Sequence, residues 1–365
     1  MKSVAEMWSA ICSTVVPRLE ECLDEPLPRK LKQLVGILEV VRIEEHVPSA
    51  PPTRMGRKRK DRRAIARAFV AKAVYNLPTT QLLIEMLHLQ PSLRRICGWS
   101  QRKEIASAST FSRAFAEFAE AQLADTVHAA LVQTHVGDQI VMHISRDATE
   151  IEAREKPAKK PKPEPKPPKK RGRRKKDEPV PEPELTRLQK QRGQTVQEAL
   201  AELPCVCDVG VKTDSKGHKH AWIGWKAHID WADGAVPLTV VTTSASLHDS
   251  QVALPMTRRT AQRVTSLYDL MDSASDAALI HQASLEAGHR PILDANKRRG
   301  DALPFDPATA VRFHERTTAE RGHSRLKDDF GGRHLRVRGH AKAHLHIMFG
   351  ILALFADQLL KFVSG

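Results

Sequence analysis

Between Phe313 and Lys327 the chain sets one carboxylate between two cations at helical spacing. At about 100° per residue, Glu320 lies about 40° round a helix from Arg316, Lys327 about 20° and Phe313 about 60° on the same side. Spacing alone favours the bland outcome, a solvated face laced with ion pairs. The chemical outcome is a carboxylate able to hold a hard cation beside two groups able to hold phosphate. Either one needs most of this stretch to be helical.

The pattern aromatic, two residues, Arg, three residues, Glu, six residues, Lys resembles the Tyr-Arg-Glu-Lys signature of bacterial insertion-sequence transposases of the DDE type. Arg316, Glu320 and Lys327 are in register with it, and Phe313 stands where Tyr is usual. Asp147 follows the β-rich run Gln139–Ser145 and resembles the family's first catalytic aspartate. Asp272 follows Leu267–Met271 and resembles the second, with Ser275 at the usual Tyr of an Asp-x-x-Tyr-Asp setting. Its neighbours Asp269 and Asp276 are also acidic, so register selects Asp272. His248 and Asp249 resemble a His-Asp pair common in the family, although capping the next helix is the simpler role for Asp249.

The resemblance covers the chain from about Gln139 onward, less one insert. It implies that Asp147, Asp272 and Glu320 hold divalent cations, Mg²⁺ or Mn²⁺ and two of them, for in-line phosphoryl transfer. It implies that Arg316, Lys327, Arg321 and Arg325 contact DNA. The implied partners are the double-stranded ends of a mobile element and a target, met by a homodimer on DNA. The implied fold is α/β: a ribonuclease H-like mixed five-stranded sheet flanked by helices, with an all-helical N-terminal domain. Two alternatives carry less of the pattern. One is a non-catalytic DNA-binding protein derived from a transposase, and the other a nuclease on the same fold without strand transfer.

Composition agrees with a polyanionic partner. The 365 residues carry 58 Lys or Arg against 43 Asp or Glu, a formal net charge of +15. Five cysteines in a chain this long make no disulfide framework. Met1–Val16 lacks the apolar core of a signal peptide. The longest apolar run, Ile347–Ala356, is about half of the roughly 20 residues that span a bilayer and reads as a buried helix. A cytoplasmic protein with no membrane partner is the expectation, associated with the bacterial nucleoid when bound to DNA.

Three regions must position these groups. Residues 1–135 read as helical, with Phe111, Phe115 and Phe118 on one apolar face and a basic cluster from Arg54 to Arg63. A helix-turn-helix-like DNA-binding region and a plain helical cap explain them equally well. Residues 136–154 and 185–365 read as the catalytic domain, with strands over 139–145, 221–229, 236–242, 266–271 and 289–293 and a last apolar helix over 341–362. The segment between, 155–184, reads as a disordered basic insert: from Arg154 to Lys176 there are 13 Lys or Arg against 2 Glu, a net of +11 punctuated by prolines. Cys205, Cys207, His218 and His220 invite a zinc site, but Cys-x-Cys and His-x-His are tight for one, and strand residues are the preferred reading.

Overall fold

The computed structural model describes residues 27–48, 59–159, 184–213, 217–294 and 304–364. The N-terminal helices are α1 (Arg29–Val41), α2 (Arg62–Val74), α3 (Thr80–Leu89), α4 (Pro91–Cys97), α5 (Ala108–Glu120) and α6 (Leu123–His135). Strand β1 (Ile140–Glu152) opens the sheet, followed by α7 (Arg187–Arg192), α8 (Val196–Ala201), β2 (Asp208–Thr213), β3 (Lys219–Ala232) and β4 (Val236–Ser244). Then come α9 (Ser250–Ala261), β5 (Thr265–Met271), α10 (Ala278–Glu286), β6 (Arg290–Leu293), α11 (Pro307–His314), α12 (Thr317–Asp328) and α13 (His340–Ser364).

The sheet is mixed and has six strands. Central β1 pairs antiparallel with β3 on one side and parallel with β5 on the other, and β6 extends β5 in parallel. The far edge of β3 is shared: Lys219–Gly224 pair with β2, and Trp225–Ala232 with β4. The sixth strand is β2, whose residues Asp208–Thr213 take the first half of that edge.

Strand β1 runs seven residues beyond Ser145, so Asp147 lies inside it rather than after it. The β-rich run breaks at two charges, Arg146 and Asp147, yet the ladder continues through both. Arg146 stands directly across from Asp230 on β3, and the guanidinium makes two bonds to that carboxylate, at 2.7 and 2.9 Å. A charge whose partner is built into the next strand does not end a ladder. Backbone contact at Gly224 is equally close: a Cβ there would overlap the carbonyl oxygen of Ile151 on β1.

One hydrophobic core runs from the N-terminal helices to the sheet. Phe69 of α2 stands 4.9 Å from Phe115 of α5 and 5.5 Å from Phe349 of α13, ring centre to ring centre. The same core takes in Trp225, Ile229 and Trp231 of β3. Helix α13 is its axis, packed on α1, α2, α5, α6 and β4. By length and composition α13 could cross a membrane, but 61% of its most apolar window is buried inside the protein. On the opposite face α7 to α10 close two smaller apolar clusters around Met256 and Met271.

Near the N-terminal basic cluster, Arg59 and Arg62 both reach Glu117 of α5, at 2.5 and 2.7 Å, so part of it serves packing. Most of the basic insert, residues 160–183, falls outside the described residues, as do 1–26, Arg54, Arg57, Lys58 and the loop Asn296–Gly300. The first residues assigned to the insert are placed: the Ala158 amide donates to the Cys207 carbonyl at 2.8 Å, and Glu155 accepts from the Gly339 amide at 3.2 Å.

Candidate active site

The two aspartates are neighbours because of the parallel register. Every paired residue of β1 meets the residue 125 positions later on β5, from Ile140 with Thr265 to Ser145 with Leu270. Asp147 and Asp272 are also 125 apart. They lie two residues beyond the last bridge of that register, near enough for the Asp272 charge to act on Asp147. Asp272 leaves the end of β5, where its carboxylate accepts the Ala274 amide at 3.1 Å. The acidic neighbours are engaged elsewhere: Asp269 is buried with His289 at 3.0 Å and Ser284 at 2.7 Å, and Asp276 lies 3.3 Å from His281.

Burial pushes the Asp147 carboxyl up to about 6; the Ala148 amide, Arg316 and Lys212 pull it back, and the Asp272 charge pushes it further. Burial also raises Asp272, as does Asp249, while Arg316 lowers it. Asp249 is therefore a third carboxylate of this cluster. It makes no side-chain cap bond to α9, contrary to the capping expectation, and instead accepts from Lys226 Nζ at 2.9 Å and lies 3.8 Å from His228 Nδ1. His248 beside it is exposed and bonds to Ser250.

The signature stretch is two helices rather than one. Around Glu315 and Arg316 the bonds tighten to three-residue turns, Arg316 to Phe313 and Thr318 to Glu315, while the Ser145 hydroxyl of β1 donates to the Glu315 carbonyl at 3.1 Å. Phe313 consequently lies in the last turn of α11, packed 5.0 Å from Phe305, and Arg316 becomes the residue before α12. Docking of α12 depends on Gly322: a Cβ there would stand 2.7 Å from the ring of fully buried Trp231. Gly322→Ala should therefore lower stability by about 1–3 kcal/mol through overpacking, read as a reduced thermal midpoint; an unchanged midpoint would contradict this seating of α12.

Glu320 is 63% exposed and lies 3.7 Å from Arg316. The structure couples the two aspartates, the Asp272 charge raising Asp147, and rests the glutamate on the arginine. Arg316 links all three acids: it pairs with Glu320 and its charge lowers both aspartates. One turn along α12, His323 Nδ1 is 3.6 Å from the Asp147 carboxylate, and its ring stands edge-on to Trp231. Burial, then Lys327 and Lys212, pull His323 down to about 3, so the ring is neutral. Its Nε2 is buried with no hydrogen-bond partner among the described residues.

The remaining sequence-predicted cations divide. Lys327 faces Glu150 of β1 at 3.6 Å. Arg321 donates to the hydroxyls of Thr317 and Thr318 at 3.1 and 2.7 Å from an exposed position. Arg325 is committed to packing instead: Asp357 and Gln358 of α13 take its guanidinium, which also covers the Phe330 ring at 5.5 Å. It lies about 140° round α12 from Glu320.

Among the described residues no group of three or more His, Cys, Asp or Glu is gathered as metal ligands. Asp147 and Asp272 nevertheless suit a hard cation, being half-buried oxygen donors, with the Asp272 charge making the potential at Asp147 more negative. The Cys205 and Cys207 thiols are both raised by burial, Cys207 to about 11, which opposes the thiolate form zinc requires. Cys207 Sγ faces the Glu155 carbonyl at 3.9 Å, and His220 stacks on Trp222 at 6.3 Å.

Sequence reasoning missed His323, His228 and Lys226. His323 had a signal, since it lies three residues after Glu320 and four before Lys327, on the same helical side. His228 and Lys226 sit within β3 and become visible only through its pairing.

Two family comparisons bear on the site. Residues 142–356 match the family described as Transposase DDE domain, and residues 20–117 match that described as Transposase domain (DUF772). No curated protein matches the chain.

Proposed function

The chain belongs to the DDE-domain transposase family, and from that premise we propose that it cuts DNA at the ends of an insertion sequence and joins those ends to a target. The observation that supports this reading is the 125-residue offset that Asp147 and Asp272 share with the parallel β1–β5 register, Asp147 within β1 and Asp272 just past the end of β5. The strand order supports a ribonuclease H-like fold: leaving β2 aside it runs β4-β3-β1-β5-β6, three antiparallel strands followed by two parallel ones.

In this reading Asp147, Asp272 and Glu320 hold Mg²⁺ or Mn²⁺, two ions in all, which when bound supply charge for an in-line displacement at phosphorus. The residues of the chain do the rest. Asp147 and Asp272 provide a fixed pair of oxygen donors at the sheet's edge. Arg316 neutralises them and, when Glu320 turns away from it, has five donors free for a phosphate. Neutral His323 seats Asp147 without adding a charge that would compete with a cation. Lys327 and Arg321 face the backbone of the bound end as point contacts. The partner is double-stranded DNA, bound by a homodimer in the cytoplasm so that both ends meet in one complex.

One observation favours a second reading, a DNA-binding protein without catalysis: the Glu320 carboxylate rests on Arg316 rather than with the aspartates. Cleavage of end DNA in Mg²⁺ separates them, because the catalytic reading expects activity that Glu320→Gln removes and the other expects none in the parent protein.

The raised Asp147 carboxyl gives a pH test that needs no turnover. Its ordinary value is 3.8 and its folded value about 6. A folded-state value above the unfolded one stabilises the protein at low pH, and that stabilisation is lost as pH rises through about 6. A cation must displace this proton, so thermal stabilisation by Mg²⁺ should grow from pH 5 to pH 7 and then level off. Asp147→Asn should abolish that growth. A Mg²⁺ shift that is the same at pH 5 and pH 7 would contradict the assignment.

A further inference from the structure

Away from the acid cluster, a cavity of about 380 Å³ opens between the N-terminal helices and the segment joining α12 to α13. Its charged lining is entirely cationic: Lys72, Arg154, Arg336, Arg338 and Lys342, with no carboxylate among the lining residues. Lys72 is the unusual member. It is 9% exposed, in the last turn of α2, and its ammonium forms no hydrogen bond or ion pair with any described residue. Burial alone pulls its ammonium down to about 8. A buried ammonium without a partner is costly unless something outside the chain pairs with it.

Two helix starts open on the same space. Pro78, Thr79 and Thr80 bring the N-terminus of α3, and Ala108 and Ser112 that of α5. These helices are 10 and 13 residues long, so each presents unbonded amides and a partial positive charge. Phe69, Phe111 and Phe349 form an apolar floor, which weakens the screening of every charge above it.

We propose that this cavity binds a phosphate group, with Lys72 as its buried anchor and Arg336, Arg338 and Lys342 at its mouth, and that the phosphate is one of the DNA backbone. Five cations, two helix starts and no acid describe an anion site. At about 380 Å³ the space admits a phosphate together with its flanking sugars. Assigning the phosphate to DNA rests on the transposase reading above; the anion site does not. Because the cavity is walled by both the N-terminal helices and the α12–α13 segment, an occupied site ties the two parts of the chain to the same duplex.

The test uses the full-length protein and two variants. Lys72→Met keeps the buried stem and removes the charge, so without ligand it should unfold no earlier than the parent. Arg338→Ala removes an exposed charge at the rim. Affinity for DNA spanning the flanks of the gene is measured from about 50 to 300 mM salt, and inorganic phosphate is titrated at constant ionic strength with the thermal midpoint as readout. Lys72→Met should bind this DNA about tenfold more weakly, and the slope of log affinity on log salt should fall by about one in each variant. Phosphate should raise the midpoint of the parent and leave Lys72→Met unmoved. A response to phosphate with no change in DNA affinity assigns the site to free phosphate and overturns the DNA half of the proposal. Unchanged DNA affinity and slope, with no phosphate response in the parent, overturn the site itself. If the parent fails to bind the DNA but responds to phosphate through Lys72, the transposase reading falls and the anion site stands.

Discussion

Asp147→Asn and Asp272→Asn should each lower DNA cleavage at least about a thousandfold while leaving end binding within a few-fold of the parent. Each change keeps the shape of the side chain and removes one negative oxygen donor from a pair that lies just beyond the β1–β5 ladder and interacts electrostatically. Neither aspartate carries the fold. Asp272 accepts one amide in a short turn and Asp147 faces His323 at 3.6 Å, so thermal midpoints should stay near the parent's or rise, given that both carboxyls are raised by burial. End binding relies on Lys and Arg contacts to phosphates and should persist in a gel shift. A fully active Asp272→Asn would remove that residue from the site.

One position earlier on β1 the expected effect is opposite in kind. Arg146 points to the other face, where it is 7% exposed against Asp230 at 0%, with Thr257 and Thr260 of α9 completing the network. Removing one partner strands a buried charge. Asp230→Ala should therefore cost about 3–5 kcal/mol of stability, several times the effect of an ordinary surface substitution. Denaturant titration of the purified variant measures it. A loss below about 1 kcal/mol would mean that water reaches Arg146, and the continuous ladder drawn through residues 146 and 147 would need revision. The contrast expected between these two neighbours, stability at Arg146 and chemistry at Asp147, follows from strand alternation.

Alternation also explains what the sequence could and could not reveal. The strand over 236–242 was readable because its β-formers run without charge, and that over 266–271 because Leu267, Tyr268, Leu270 and Met271 surround the single charge of Asp269. The far half of β1 was not, since Arg146 and Asp147 interrupt the run and their acceptance depends on Asp230, 84 residues away. Asp147 and Asp272 were singled out by resemblance, but their proximity depends on the strand register, which no local pattern encodes. The break at Glu315–Arg316 escaped notice because no Pro or Gly marks it; a hydroxyl from Ser145 draws off the carbonyl instead. Asp249 looked like a cap because Ser250 begins a helix, yet Lys226 across the sheet claims it. The N-terminal helices and the sheet share one core through α13, a fact legible in neither segment separately.

The most direct measurement is the product of a single reaction. Purified full-length protein is incubated with Mg²⁺, labelled DNA spanning the flanks of the gene and an unlabelled target plasmid, with Asp272→Asn and a chelator as parallel reactions. The account predicts new 3′ ends at the boundaries of the element, their covalent attachment to the plasmid, and the loss of both products with the variant or the chelator. Binding of the same DNA without any cleavage, in the parent protein with Mg²⁺ present, would contradict it.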